Sequence, residues 1–532
     1  MFWEHMVRRV LLLGAAVLTA AGASPVRAAD RSAVLRRLDR LQRKIEEQAK
    51  EIETLHRALD GGSDTTISAD PPSPNPVESR LTQQDQKIDD LVARFTAERD
   101  QDRLSAQSRA KPGIANGRPQ ITSADGRFSA ALRVTLQYDT GHYMQSARAR
   151  MLPATNGPDL SDGSNFRRAQ IGLQGALFGD WSYSFKMDFG SGGSTGTESP
   201  GRIQEAYVEY DGLAPFLFRI GAHAAAVGLE SNGSSSDQLL LERASPAELA
   251  RGMASGTRSA VELVYAGERL FGSLAYTGDK PGALGAFDEQ QAIVARVSYS
   301  PINTAERHWV ISAGGSDIFR PARNGPHSDA ERPLRLSSLA ELVLDDNSTK
   351  FVDTGEIADA TEASNWGVES GASFGPFLAQ GGYFGYGVDR RGAGRHGFDG
   401  WYGEASWVLT GEGRGWSEER AAFVGPRPRN ALSDGGGIGA FEVAARYSAL
   451  DLNDQAVTMG DSLPVGSLRG GQQRIVTLGL NWYPNTALKF TLQAQNVEAS
   501  RIGTNIVATP ALLNADLGQN FNTIALRSQI AF

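Results

Sequence analysis

An all-β fold, a transmembrane antiparallel β-barrel of about 16 strands preceded by an N-terminal α-helical coiled coil, is predicted by three features of this 532-residue sequence. From residue 121 to the last residue, apolar side chains recur with period two over segments long enough to cross a bilayer. Beyond the first 28 residues, no stretch approaches the roughly 18–20 consecutive apolar residues of a spanning helix. Ahead of the alternating region the period is that of a heptad repeat instead. The composition fits: 60 glycines and 40% hydrophobic residues suit strands that hide apolar residues at every second position and average out polar.

Residues 1–28 read as a signal peptide. Arg8 and Arg9 precede an apolar stretch from Val10 to about Ala21, and small residues follow, with cleavage after Ala23 or Ala28. The chain has no cysteine, which excludes disulfide frameworks, thiolate metal sites and cysteine nucleophiles. Residues 29–104 form a stalk. Val34, Leu38, Leu41, Ile45, Ile52, Leu55 and Leu59 alternate steps of three and four, with Gln48 at the one polar seam position. Pro71, Pro72, Pro74 and Pro76 break the repeat, which resumes weakly at Leu81, Ile88, Leu91 and Phe95. The stalk reads as an oligomerising or wall-spanning coiled coil, the alternative being a single solvated helix. Residues 105–120 are a tether.

The barrel occupies residues 121–532. Phe128, Ala130, Leu132, Val134, Leu136 and Tyr138 share one face of an 11-residue segment whose other face carries Arg133, Thr135 and Gln137. That length suits a tilted bilayer-crossing strand of about 9–11 residues. Trp181, Tyr183, Phe185, Met187 and Phe189 oppose Ser182, Ser184, Lys186 and Asp188 in the same way. Further alternation runs through 259–266, 291–300, 401–409, 441–449, 475–483 and 488–494. One such segment would suit a soluble sandwich; so many suit a barrel. Trp181, Tyr207, Tyr210, Tyr299, Trp407, Trp482 and Tyr483 lie near segment ends, where interface girdles belong. Ile524, Leu526, Ser528, Ile530 and the terminal Phe532 share a face, as in the last strand of outer-membrane barrels. These features point to the outer membrane of a Gram-negative bacterium, with outer-membrane lipid as partner and the stalk in the periplasm.

No enzymatic constellation competes. Gly190–Gly201 lacks a Gly-Lys-Ser/Thr ending and reads as a strand connection; Gly411–Gly415 reads as a turn. The seven histidines lack metal-ligand spacing and there is no serine elbow. No enzyme activity, metal, cofactor or nucleic-acid partner is expected.

The strand sequences resemble the phosphate-selective porin O and P family. The resemblance runs through Asn165-Phe166-Arg167-Arg168-Ala169-Gln170-Ile171-Gly172-Leu173, Leu177-Phe178-Gly179-Asp180-Trp181-Ser182-Tyr183 and Glu205-Ala206-Tyr207-Val208-Glu209-Tyr210. It continues in Val352-Asp353-Thr354-Gly355, Ser406-Trp407-Val408-Leu409-Thr410-Gly411-Glu412, the 445–454 segment and Thr477-Leu478-Gly479-Leu480-Asn481-Trp482-Tyr483. The resemblance implies a 16-stranded barrel, a homotrimer, and a lumen whose arginines and lysines pass phosphate or related small anions.

An anion leaving bulk water in a narrow pore needs fixed cations, and the guanidinium fork suits phosphate oxygens. Arg133, Arg168, Lys186, Arg219, Arg296, Arg446, Lys489 and Arg527 lie in phase with polar strand faces. Of these, Arg133, Arg168 and Arg219 match basic lumen positions implied by the resemblance. Strict alternation turns Arg167 to lipid unless a strand end, snorkelling or a bulge redirects it. The same faces carry Asp188, Glu205, Glu209, Glu262, Glu369, Glu404 and Glu442, so charge counting leaves selectivity open. Residues 221–230 depart from the family pattern: two alanines and a neutral histidine replace a cation, which predicts a wider pore with a weaker anion site. Extracellular connections 145–163 and 321–331 are candidates to fold inward.

Overall fold

The computed structural model describes residues 110–532 apart from 116, 146–159, 191–200, 283–286, 328–329, 331, 345–349, 433–434, 455–466 and 502–517. Upstream of 110 it describes eight positions between 54 and 97, all α-helical, with an i,i+4 pair of Asp90 and Arg94 at 3.0 Å. The signal peptide and most of the stalk therefore lie outside the described residues. The chain divides into two compact units, 1–115 with 119–128, and 116–118 with 129–532. In the first, Ser123 N–H closes a turn on the Phe128 carbonyl at 2.8 Å.

The second unit is a closed barrel of 16 strands. They are β1 (Ser129–Met144), β2 (Gly163–Leu177), β3 (Trp181–Asp188), β4 (Arg202–Leu213), β5 (Phe216–His223), β6 (Arg258–Ala266), β7 (Leu270–Thr277) and β8 (Gln291–Asn303). Then follow β9 (Arg307–Arg320), β10 (Ala360–Phe374), β11 (Phe377–Arg390), β12 (Ala393–Val408), β13 (Ala440–Asp454), β14 (Leu468–Tyr483), β15 (Leu488–Ser500) and β16 (Asn520–Ala531). Each strand pairs antiparallel with the next, and β16 closes on β1 with Leu526 opposite Thr140 and Ile530 opposite Leu136. Phe532 extends that seam by exchanging both backbone hydrogen bonds with Val134, at 2.9 and 3.0 Å. Closure leaves no open sheet edge to satisfy in lipid.

All eight alternating segments are strands, and their two faces are inverted relative to a soluble protein. Leu478, Trp366 and Val297 are more than half exposed, whereas Glu262, Gln493, Thr477 and Asn481 are at most 1% exposed. Apolar side chains outside and polar ones inside are stable only with hydrocarbon around the barrel. Two aromatics expected in the girdles differ: Tyr207 and Tyr483 turn inward, Tyr207 beneath Arg219 and Tyr483 donating its hydroxyl to Glu442 at 2.7 Å.

Most of the interior is filled. Three connections fold in: residues 224–257 between β5 and β6, the described parts of 332–357 between β9 and β10, and the described parts of 409–439 between β12 and β13. The last enters from the end that otherwise carries the short turns, as a hairpin of Arg414–Ser417 with Ala422–Pro426. Their apolar residues form an ordinary core against the wall. Ala244, Ala247, Leu249, Leu336 and Ile357 pack on Val294, Phe384 and Tyr402, and Leu241, Leu342 and Phe351 pack on Ile475, Val497 and Phe521. Leu229, Leu239 and Leu240 join Phe423 of the hairpin against Val310 and Ala444.

The run after Gly221 corrects the expectation of a wider pore. β5 ends at His223, and the alanines begin the first inward segment, where Ala225, Ala226 and Val227 are buried. Their small size lets the backbone lie against β9, where a Cβ at Gly314 would stand 2.2 Å from the Val227 carbonyl oxygen.

Candidate functional site

The open space is off-centre: its wall residues come from β1 to β6 and from Phe271 of β7, and the inward segments close it on the other side. It is a cavity of about 640 Å³. Eleven basic side chains and five acidic ones line it. Five of the basic residues were expected from strand phase or motif: Arg133, Arg167, Arg168, Lys186 and Arg219.

Each expected cation meets a fixed partner. Arg133 of β1 and Lys186 of β3 share one carboxylate, Glu205 of β4, each at 2.5 Å. Arg219 of β5 grips Glu209 at 2.6 Å, reaches Glu262 at 3.4 Å and stacks over the Tyr207 ring at 4.7 Å. A bulge sets the direction of Arg167: Gln137 opposes Arg168 and Tyr138 opposes Phe166, leaving Arg167 as the extra residue. Both arginines then face inward. Arg167 makes a two-pronged pair with Glu242 at 2.8 and 2.9 Å; Arg168 donates to Gln137 at 2.6 Å and reaches Glu242 at 3.5 Å.

The remaining four do not reach the cavity. Arg296, Arg446, Lys489 and Arg527 project inward, as strand phase requires, but lie beneath the inward segments at 3–5% exposure. Arg296 donates to the carbonyls of Arg420 and Ala421 at 3.1 and 2.7 Å, holding the hairpin. Lys489 donates to the Gln238 carbonyl at 2.5 Å. Arg527 clasps Asp139 across the closing seam at 2.6 and 2.7 Å and reaches Glu242 at 2.9 Å. Arg446 holds three carboxylates, Glu404 of the wall at 2.8 Å, Glu230 at 2.9 Å and Glu341 at 3.1 Å, so it ties two inward segments to β13.

The acidic residues of the same faces do matching work. Glu369 accepts from the Glu230 N–H at 3.2 Å and the Tyr402 hydroxyl at 2.8 Å, and Glu442 pairs with Arg414 of the hairpin at 2.8 Å. The short helix Ser245–Ala250 starts without a side-chain cap of its own. Its first N–H groups are bonded instead by distant carboxylates: Ala244 N–H donates to Glu230 at 3.1 Å and Ser245 N–H to Glu341 at 2.7 Å. Burial pushes the Glu230 carboxyl up to about 8, with nearby Glu404 adding to the rise and Arg446 opposing it. Burial would raise Glu242 too, but Arg167, Arg168 and Arg527 overcome it and hold that carboxyl far below the usual range.

The other six basic residues of the cavity are Arg202, Arg243, Arg251, Arg258, Lys280 and Arg420. Arg243 and Arg251 share Glu248, at 3.5 and 3.1 Å. Arg202 reaches Asp188 at 3.4 Å. Arg258 was legible, since it shares the face of Glu262, and only the strand boundary hid it. Arg202 begins β4, and Arg243, Arg251, Lys280 and Arg420 lie on connections, which have no period to read.

The sequence model of the phosphate-selective porin O and P family matches residues 122–530. Porin O of Pseudomonas aeruginosa is 26% identical over 408 residues, covering 73% of this chain and 86% of that protein. Among solved structures, the trimer form of OmpT of Vibrio cholerae is similar at 9% identity and a TM-score of 0.44, over 76% of this chain and 99% of that one. The anion-selective porin from Comamonas acidovorans is similar at 12% identity and a TM-score of 0.41, over 76% and 100%.

Proposed function

The chain belongs to the phosphate-selective porin O and P family, and from that premise we propose that it passes small, phosphate-like anions passively across the outer membrane, with weak selectivity. The passage is the cavity against β1 to β6. The observation that carries this reading is its charge: eleven basic side chains against five acidic ones in about 640 Å³. Such an excess raises the local anion concentration and lowers the barrier to a dehydrating anion.

The selectivity is weak because Glu205, Glu209, Glu242 and Glu262 neutralise the wall cations at contact distance. The same pairing supports a second reading, a general diffusion porin with little ion preference. Current measurements in a planar bilayer separate the two. The anion channel gives a reversal potential favouring chloride in a KCl gradient, and phosphate reduces the chloride current. Cation preference defeats this reading, a neutral reversal potential favours general diffusion, and absence of conductance favours a structural barrel that tethers the envelope through its stalk. Assembly as a homotrimer, with the stalk in the periplasm contacting the cell wall, belongs to the same proposal. Light scattering of the detergent-solubilised protein checks the trimer.

A further inference from the structure

Glu242 occupies an unusual electrostatic position. It lies on the first inward segment, between Leu241, which is fully buried, and Arg243. Arg167, Arg168 and Arg527 converge on its one carboxylate, at 2.8, 3.5 and 2.9 Å. No other carboxylate among the described residues holds three guanidinium groups. Arg527 has a second acidic partner in Asp139, and Glu242 pairs with both Arg167 and Arg168. Both line the cavity while Glu242 does not, so the carboxylate compensates them from behind.

Arg167 and Arg168 are adjacent in sequence, and only the bulge in β2 turns both inward. Two like charges side by side in a partly dehydrated lumen repel each other, and one carboxylate bridging them relieves this. The backbone on either side of Glu242 is fixed independently: Leu241 N–H donates to Gln493 at 2.9 Å, and the Glu242 carbonyl accepts from Arg446 at 2.8 Å. The segment is thus anchored without the carboxylate, whose remaining effect is on charge.

We propose that Glu242 is a specificity-determining residue of this channel: by neutralising the Arg167–Arg168 pair from outside the cavity, it sets the anion preference below what the two arginines would give alone. The inference rests on reading the cavity as the ion passage, not on the sign of the wild type's preference.

The test compares the full-length wild type with Glu242→Gln and the charge-balanced double variant Glu242→Gln/Arg167→Gln in planar bilayers, measuring reversal potential and single-channel conductance in KCl. In Glu242→Gln the chloride-to-potassium permeability ratio should rise roughly threefold or more, less at high salt, with conductance changed by less than about twofold. The double variant should return the ratio towards wild type. A shift towards anions is expected even from a cation-selective wild type, so failure of the inference is distinguishable from failure of the anion reading. An unchanged ratio overturns the inference, as does a rise in conductance with the same ratio in both variants, which would make Glu242 a tether only. If Glu242→Gln does not assemble, Arg167→Gln alone should lower the ratio, and an unchanged ratio there overturns the inference equally.

Discussion

An inward-facing arginine of this barrel has one of two fates, and neighbours far along the chain decide which. Arg133 and Arg168 face open space; Arg446, on an equivalent polar face, lies beneath two inward segments. Replacing the first kind changes the lumen's charge. Arg133→Ala with Arg168→Ala should lower the chloride-to-potassium permeability ratio with the barrel intact, and an unchanged ratio would remove both from the passage. Replacing the second kind attacks stability. Arg446→Met leaves Glu230, Glu341 and Glu404 without their shared cation, which should cost about 3–5 kcal/mol. Thermal unfolding in detergent checks this, with Arg133→Met as the milder comparison. Strand phase gave the inward direction of Arg133, Arg168, Lys186, Arg219, Arg296, Arg446, Lys489 and Arg527. It could not separate the two fates, because period two says which face a residue occupies and nothing about what covers that face.

At the scale of elements, the inward segments owe their placement to polar fasteners as much as to apolar contact. The helix Ser245–Ala250 has no side-chain cap and borrows carboxylates from Glu230 and Glu341. Glu230, Glu341 and Glu404 crowd around the one guanidinium of Arg446, and the Glu230 carboxyl is raised to about 8. A carboxyl raised in the folded state favours folding most below its ordinary unfolded value, and the contribution declines as pH climbs to the folded value. The first inward segment should therefore be held more firmly near pH 5 than near pH 9. Open-channel current noise should increase over that range in the wild type and stay flat in Glu230→Gln; equal pH dependence in both would exclude Glu230 as the titrating group. Strand phase made only the wall residues Glu404 and Arg446 legible beforehand, as inward-facing; Glu230 and Glu341 were not. The connections carry neither period nor motif, and Gly411–Gly415, which reads as a turn, carries Arg414 into a buried pair with Glu442.

At the scale of the whole second unit, the protein is a membrane barrel with a soluble-protein core inside it. The wall is complete through its own backbone ladder, including the β16–β1 seam, and so does not depend on the hairpin entering from the short-turn end. Removing residues 412–428 together with Glu442→Gln, which avoids stranding a buried charge, should leave a folded barrel with larger conductance. Heat-modifiable electrophoretic mobility reports the fold and single-channel recording the conductance. Loss of the folded band would mean that the hairpin is needed to complete the wall.

The sequence alone determined the barrel, a strand count of about 16 and the inward direction of its wall cations other than Arg167, because these follow from a strict period of two, from strand length and from bilayer thickness, all local properties of the chain. Tertiary structure alone decided which cations meet the passage. The inward segments fill most of the interior and leave open space mainly against β1 to β6, and the carboxylates that neutralise or fasten each arginine arrive from up to hundreds of residues away, as Glu230 does for Arg446. Such pairings depend on which surfaces meet after closure, and no local pattern encodes that.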